Sequence, residues 1–303
     1  MLGKGFLFGL LFCLISAAFD VYVAFVTQAV STILVVFYCF IVSTAFFVVC
    51  ALWSNSRSFF TKVREQWGMV VVINLAVLFN WGGLFYALRY LEPAVVGVAA
   101  VACGPALTLL ISFFDRRSAR VAFADALVSC LVLISVGIML FNSFSGNSGI
   151  ATTTSAQRLL GIASVVLCAL GTVIYTVFSK QMFARHWSIF EILAVRNIAM
   201  VGFCVLVVSI IGGSITLDRE LLIPMIILVG VGHLLPIYLI QKTIYYLTPI
   251  HVSLVLLTLP VFVLLLQYFD ARIEFSVASV LAVSIIVFLL LGRTLYELRR
   301  ERL

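Results

Sequence analysis

Charge is what this sequence has least of. Only 10% of its 303 residues are Asp, Glu, Lys or Arg, where about 25% is usual in a soluble domain. Apolar residues make up 64% and mean hydropathy is +1.25, so large water-exposed domains are excluded. No Walker-type phosphate loop is present, which excludes ATP-driven pumping by this chain alone. No Cys-x-x-Cys pair occurs, and the seven cysteines (Cys13, Cys39, Cys50, Cys103, Cys130, Cys168 and Cys204) all fall inside apolar runs without a histidine at ligand spacing. They read as small packing residues, and neither a metal, a disulfide framework nor a cofactor is expected.

What is present is a series of apolar runs, each near the roughly 20 residues a membrane crossing needs. Polar punctuation divides them at about 5–26, 30–53, 68–88, 93–114, 121–142, 158–179, 189–212, 221–241, 249–268 and 274–292. The expected fold is therefore all-α, with ten transmembrane helices in the lipid bilayer. The formal charge of +7 does not indicate nucleic acid, because the cations sit in short clusters between the runs. With both termini cytoplasmic, 14 Lys and Arg fall in inside segments, 4 (Arg89, Arg158, Arg219, Arg272) fall outside, and Arg196 lies within a run. That asymmetry predicts an N-in, C-in orientation in the cell (inner or plasma) membrane. Lys4, the first apolar run and Ser16-Ala17-Ala18 have the outline of a cleaved leader, but the repeat described next implies that this segment is retained.

Tyr90-Leu91-Glu92-Pro93 recurs as Tyr246-Leu247-Thr248-Pro249, and Pro105 with Phe113-Phe114-Asp115-Arg116-Arg117 recurs as Pro260 with Tyr268-Phe269-Asp270-Ala271-Arg272. The two prolines are 12 residues apart in one half and 11 in the other, at an overall shift of about 155. The first helices agree as well: Gly9, Cys13, Ser16, Ala17, Asp20 and Ala24 fall opposite Ser164, Cys168, Gly171, Thr172, Tyr175 and Ser179. Such stripes of small and polar residues face other helices or a cavity. The chain thus divides into a first five-helix repeat (1–142), a Ser-, Thr- and Gly-rich linker (143–157), a second repeat (158–292) and a basic cytoplasmic tail (293–303). Five crossings is an odd number, so the halves are inverted, the arrangement of many secondary transporters.

The segment from Phe85 through Tyr90 and Pro93 to Pro105, its echo from Tyr245 to Pro260, and an Arg in the second helix of a half, Arg196, resemble the ten-helix, EamA-like members of the drug/metabolite transporter superfamily. The resemblance covers about 5–142 and 158–292. It departs where the first half has Phe37 or Tyr38 in place of that Arg, and where Asp115 is followed by two arginines. It implies a transporter of small molecules such as amino acids, sugars, nucleotide conjugates or drugs.

Ionisable groups inside a span cost about 2.5–3.5 kcal/mol each at its centre, so each is a candidate for function. Asp20 lies on the small-residue stripe of the first helix, where it could take up a proton or attract a cationic group; the alternative is a solvated place near the outer interface. Arg196, roughly 10 Å deep at 1.5 Å per residue, is read either as a carboxylate or phosphate binder or as a side chain snorkelling to headgroups or to Glu191. His233 shares a face with Gly230, Ile237 and Gln241 and is either a packing histidine or a substrate or proton contact; His251 reads as interfacial. Asn74 and Asn80 lie on different faces of the third helix, and at least one of them is expected to join helices by a hydrogen bond. Trp81, Tyr86, Tyr175 and Tyr238 are candidates for an aromatic pocket. The sites singled out for substrate or coupling are Asp20, Asn80, Trp81, Tyr175, Arg196, His233 and Tyr238. Pro105, Pro236 and Pro260 interrupt apolar helices and are candidate hinges, freeing the carbonyls of Val101, Gly232 and Leu256.

An enzyme is the main rival. Gly146-Asn147-Ser148-Gly149 has the Gly-x-Ser-Gly form of some membrane serine proteases, but it sits in the linker, and neither His233 nor His251 has a patterned Ser partner. A receptor or scaffold has no evident use for two inverted halves. The expectation is a non-enzymatic secondary carrier of a small metabolite, an amino acid or related amphipathic compound, exported in exchange for protons. Uptake or passive facilitation is the alternative.

Overall fold

The computed structural model describes residues 2–114, 123–147, 149–150, 153–211, 219–247, 249–270, 273–274 and 277–300. It is helical throughout, apart from a two-residue antiparallel pairing of β1 (Gly149–Ile150) with β2 (Ile273–Glu274). The helices are α1 (Leu2–Ala29), α2 (Thr32–Glu65), α3 (Trp67–Val77), α4 (Gly83–Tyr90), α5 (Pro93–Phe114), α6 (Phe123–Phe144) and α7 (Ser155–Ala184). They continue as α8 (Ile189–Val195), α9 (Ile198–Ile211), α10 (Leu222–Ile227), α11 (Leu235–Tyr246), α12 (Pro249–Leu256), α13 (Thr258–Gln267) and α14 (Val277–Arg300). Asp115 to Arg120, and with them part of the repeated Phe113–Arg117 run, lie outside the described residues.

Among the described residues, seven helical stretches are long and apolar enough to cross a membrane, and shorter apolar helices run over Pro93–Cys103, Thr258–Gln267 and Ser279–Leu289. The protein is therefore a multi-pass integral membrane protein. Side chains such as Ile138, Phe141, Leu206, Ile210 and Phe288 are exposed, as lipid contact requires. At 1.5 Å per residue α2 is about 51 Å long, well beyond a hydrocarbon core of about 30 Å.

Several rods are not regular. Two π-helical segments, Leu78–Gly82 and Leu228–Leu234, join α3 to α4 and α10 to α11. Pro236 enters at the start of α11, directly after the second of these. Pro260 lies in α13, and the chain turns at Leu257, next to the Leu256 carbonyl that the proline cannot serve. Pro105 lies within α5. The run over 189–212, read as one helix, is divided at Arg196-Asn197 between α8 and α9. Asn74 bridges that division: its Nδ2 donates to the Val195 carbonyl at 2.7 Å, and its Oδ1 accepts from the Ala199 N–H at 2.8 Å. In hydrocarbon no water can do this, so the amide stands in for the missing helical bonds.

Packing is reciprocal. The first helix of the chain, α1, packs on α11, α12 and α13, while α7 packs on α3, α4, the first π segment and α5. The helix α2 meets α8 and α9, α5 meets α13, and α6 meets α14. A Cβ on Gly5 would meet Leu247 and Tyr246; one on Gly161 would meet Leu91 and Tyr90. These three pairs (5 and 161, 90 and 246, 91 and 247) are each 156 residues apart. That is one more than the offset that matches the first helices by composition, so Asp20 falls opposite Thr176 and Phe19 opposite Tyr175.

The tightest crossing is that of α7 with the α3–α4 rod. A Cβ on Gly171 would lie 2.4 Å from the Asn80 nitrogen and 2.6 Å from the Ala76 oxygen, and one on Gly83 would lie 2.4 Å from the Ser164 oxygen. Backbone cannot swing away as a side chain can. Gly171→Val is expected to destabilise the fold by about 1–3 kcal/mol, read as a lower thermal-unfolding midpoint and a smaller monodisperse peak in detergent. An unchanged midpoint would mean that the helices are not in this contact.

Candidate functional site

A cavity of about 110 Å³ lies where the reciprocal contacts converge. Helical periodicity builds its wall. Phe12, Ser16, Phe19 and Asp20 form one face of α1; Cys168, Thr172, Tyr175 and Thr176 form one face of α7; Gly97, Ala100 and Val101 come from α5. Ile240 and Ile244 of α11, and Val252, Leu256 and Leu259 of α12 and α13, close the apolar remainder. Asn80 and Trp81 enter from the first π segment, with Leu84 one turn on. A π turn shifts the register of the side chains that follow, and such segments are frequent at functional sites.

The charged wall consists of Asp20 and Arg196. Asp20 is 3% exposed and Arg196 is fully buried, so neither is the solvated or snorkelling residue that the sequence left open. Glu191 does not pair with Arg196 either. It accepts from Lys62 at 2.9 Å and closes a capping box with Ser188. Among the described residues no nitrogen of the Arg196 guanidinium has a hydrogen-bond partner, and no salt bridge joins it to Asp20. The Tyr175 ring lies 4.8 Å from the guanidinium carbon. The Tyr175 hydroxyl donates to Gln241 Oε1, which leaves Gln241 Nε2 unpartnered among the described residues. The hydroxyls are otherwise engaged: Thr172 Oγ1 accepts from Asn80 Nδ2 at 2.7 Å and donates to the Cys168 carbonyl, and Thr176 donates to the Thr172 carbonyl.

Five of the residues expected at the site, Asp20, Asn80, Trp81, Tyr175 and Arg196, thus share one cavity. Two do not reach it. His233 lies in the second π segment. It is fully buried behind the wall, 4.8 Å from the Trp81 ring and 4.6 Å from that of Phe40. Tyr238 stacks on Phe190 at 5.8 Å with Lys242 above it. Tyr86 also lies outside the lining. His251 meets the Phe6 ring edge-on at 5.7 Å. Asn74 and Asn80 both join helices by hydrogen bonds, as was expected of at least one of them; Gln241 and the chain break that Asn74 serves were missed. A lone amide beside Lys242 reads as an interface residue, and nothing local in the sequence marks the break that Asn74 serves.

A second polar cluster lies apart from the cavity. Glu92, fully buried, accepts from Gln267 Nε2 at 2.7 Å and from Ser279 at 2.9 Å, while Gln267 Oε1 accepts from the Ala94 N–H. It ties the start of α5 to α13 and α14.

Many apolar helices around an internal cavity lined by one acid and one base define a class: multi-pass membrane proteins with a polar site inside the helix bundle. Residues 159–292 match the model of the EamA-like transporter family. The family likeness read from the sequence is thereby shown, and it falls on the second half of the chain. Members of this family are membrane transporters of small molecules, and the match points to that class for this chain. Eleven solved chains are significantly similar. One crystal structure shares the fold over 99% of both chains with a TM-score of 0.62 and 21% identity. No curated protein matches.

A buried guanidinium without partners opposes folding, because its desolvation is uncompensated. Arg196→Met, similar in length and apolar, is expected to stabilise the protein by about 1–3 kcal/mol, raising the thermal-unfolding midpoint in detergent. A midpoint several degrees below wild type would show that the guanidinium is anchored.

Proposed function

We propose that this protein is a secondary carrier of a small amphipathic metabolite, an amino acid or related compound, exported across the cell (inner or plasma) membrane in exchange for protons. Ten crossings form two inverted five-helix halves, 1–142 and 158–292, joined by the linker 143–157, with both termini cytoplasmic. The reciprocal packing supports this arrangement. Gly5 meets Tyr246-Leu247 near the cytoplasmic ends of those helices, and Gly161 meets Tyr90-Leu91 near the outer ends. The halves then rock about the cavity they share, and the division at Arg196-Asn197 and the turn at Leu257 serve as joints. Pro105 and Pro236 complete the hinge set.

The observation that carries the reading is Asp20. It is buried in the cavity wall without a hydrogen bond or salt bridge among the described residues. A structural carboxylate in a bilayer would be expected to hold a partner, as Glu92 and Glu191 do here. One that lacks a partner in the resting protein is free to bind a proton or the cationic group of a solute in turn, and alternation between the two is the exchange a proton-driven exporter requires.

The test is flux in proteoliposomes loaded with labelled amino acids, measured with and without an inward proton gradient. Wild type should accelerate efflux several-fold under the gradient. Asp20→Asn should still equilibrate solute but lose that acceleration. Gradient dependence that survives the substitution would remove Asp20 from coupling, and gradient-independent equilibration by wild type would favour a passive facilitator or uptake carrier.

A further inference from the structure

The offset of 156 that relates the reciprocal contacts also pairs Phe19 with Tyr175, Phe85 with Gln241 and, in place of the Phe37 or Tyr38 expected from the sequence, Phe40 with Arg196. All six side chains are buried. In the first half the trio is made of rings: Phe19 and Phe85 meet edge-on at 5.6 Å, and Phe40 lies 6.1 Å from Trp81. In the second half the same three places hold a phenol, a guanidinium and an amide. Tyr175 donates to Gln241, and Arg196 stands over the Tyr175 ring. One trio presents only apolar surface to the cavity side, through Phe19 and its neighbour Trp81. The other presents Tyr175 and Arg196, whose guanidinium nitrogens lie buried without partners among the described residues.

Unpartnered atoms of Arg196 and Gln241 Nε2 are all donors. A group that satisfies them must be an acceptor, and beside a guanidinium in a low-dielectric site it must bring negative charge. A single cation matches a single anion, and the planar fork of N–H bonds matches a carboxylate bidentately. Resting on the proposal that this cavity is the substrate site, we infer that the transported solute is an amphipathic carboxylate held in one orientation. Its carboxylate docks on Arg196 at the Tyr175–Gln241 pole, and its apolar or ring-bearing body lies against Phe19 and Trp81. A cationic amphiphile without a carboxylate is rejected, because it leaves the guanidinium unpaired. Whether the solute also carries an ammonium group for Asp20 is a separate choice that the same experiment reads.

The experiment is calorimetric titration of the purified full-length protein in detergent with four probes of one ring size: L-phenylalanine, 3-phenylpropionate, 2-phenylethylamine and L-phenylalaninamide. Both carboxylates should bind at least about tenfold tighter than the amine and the amide. Tighter binding of L-phenylalanine than of 3-phenylpropionate would add the ammonium contact; equal binding would assign a carboxylate alone and support the inference equally. In Arg196→Gln the carboxylate preference should collapse to within about threefold, and Arg196→Lys, which keeps the charge, should retain part of it. The inference is overturned if 2-phenylethylamine binds as tightly as 3-phenylpropionate, or if Arg196→Gln leaves the ratio intact. Binding of none of the four, with proton-driven flux of other solutes still dependent on Asp20, overturns the carboxylate assignment and spares the carrier. Selective binding with no flux in proteoliposomes sinks the carrier reading and spares the subsite.

Discussion

In hydrocarbon a peptide group has no solvent to bond with, and nearly every feature of this protein answers to that constraint. Helices run unbroken unless something else serves the carbonyls and N–H groups they release. The break between α8 and α9 exists because Asn74, on a neighbouring rod, takes one bond from each side of it. Because the chain can turn there, Arg196 lies at the end of α8 with its side chain in the cavity wall. The backbone repair and the buried guanidinium are therefore parts of one arrangement.

The same constraint sets polar groups that hold helices together apart from those left with spare bonding capacity. Glu92, Glu191, Asn80 and Thr172 are bonded to named partners, and their role is to hold helices together. Asp20, Arg196 and Gln241 Nε2 have polar atoms left over among the described residues, in or beside one cavity. Keeping such atoms unpaired costs stability. In the carrier proposed above, a bound solute would complete the pairing and offset that cost.

The sequence made the membrane, the run boundaries and the small-residue stripes legible, because lipid contact and helix contact each select a narrow range of residue types. Asp20 and Arg196 stood out for the same reason, as charges where charge is costly. What could not be read was anything that depends on registration between distant segments. His233 lies behind Trp81 and not in the cavity lining. Tyr238 looked like Tyr175 in composition, yet one stacks on Phe190 and the other lines the cavity. The match of Phe19, Phe40 and Phe85 to Tyr175, Arg196 and Gln241 needed an offset that only the Gly5 and Gly161 contacts supplied.

The packing of α1 against α11, α12 and α13 has a consequence for how the chain is made. The first helix leaves the ribosome some 200 residues ahead of its partners, a wait of about 10–40 s at ordinary rates of synthesis. Throughout that interval a helix bearing Asp20 must sit in the membrane without the surface that will cover it. A chain stopped after the first half would keep that face bare, and α7 would never arrive to cover α3 and α4. Helices α4 and α5 of the first half can cover part of α1 early, but the remainder of its packing surface is supplied only when the C-terminal helices arrive.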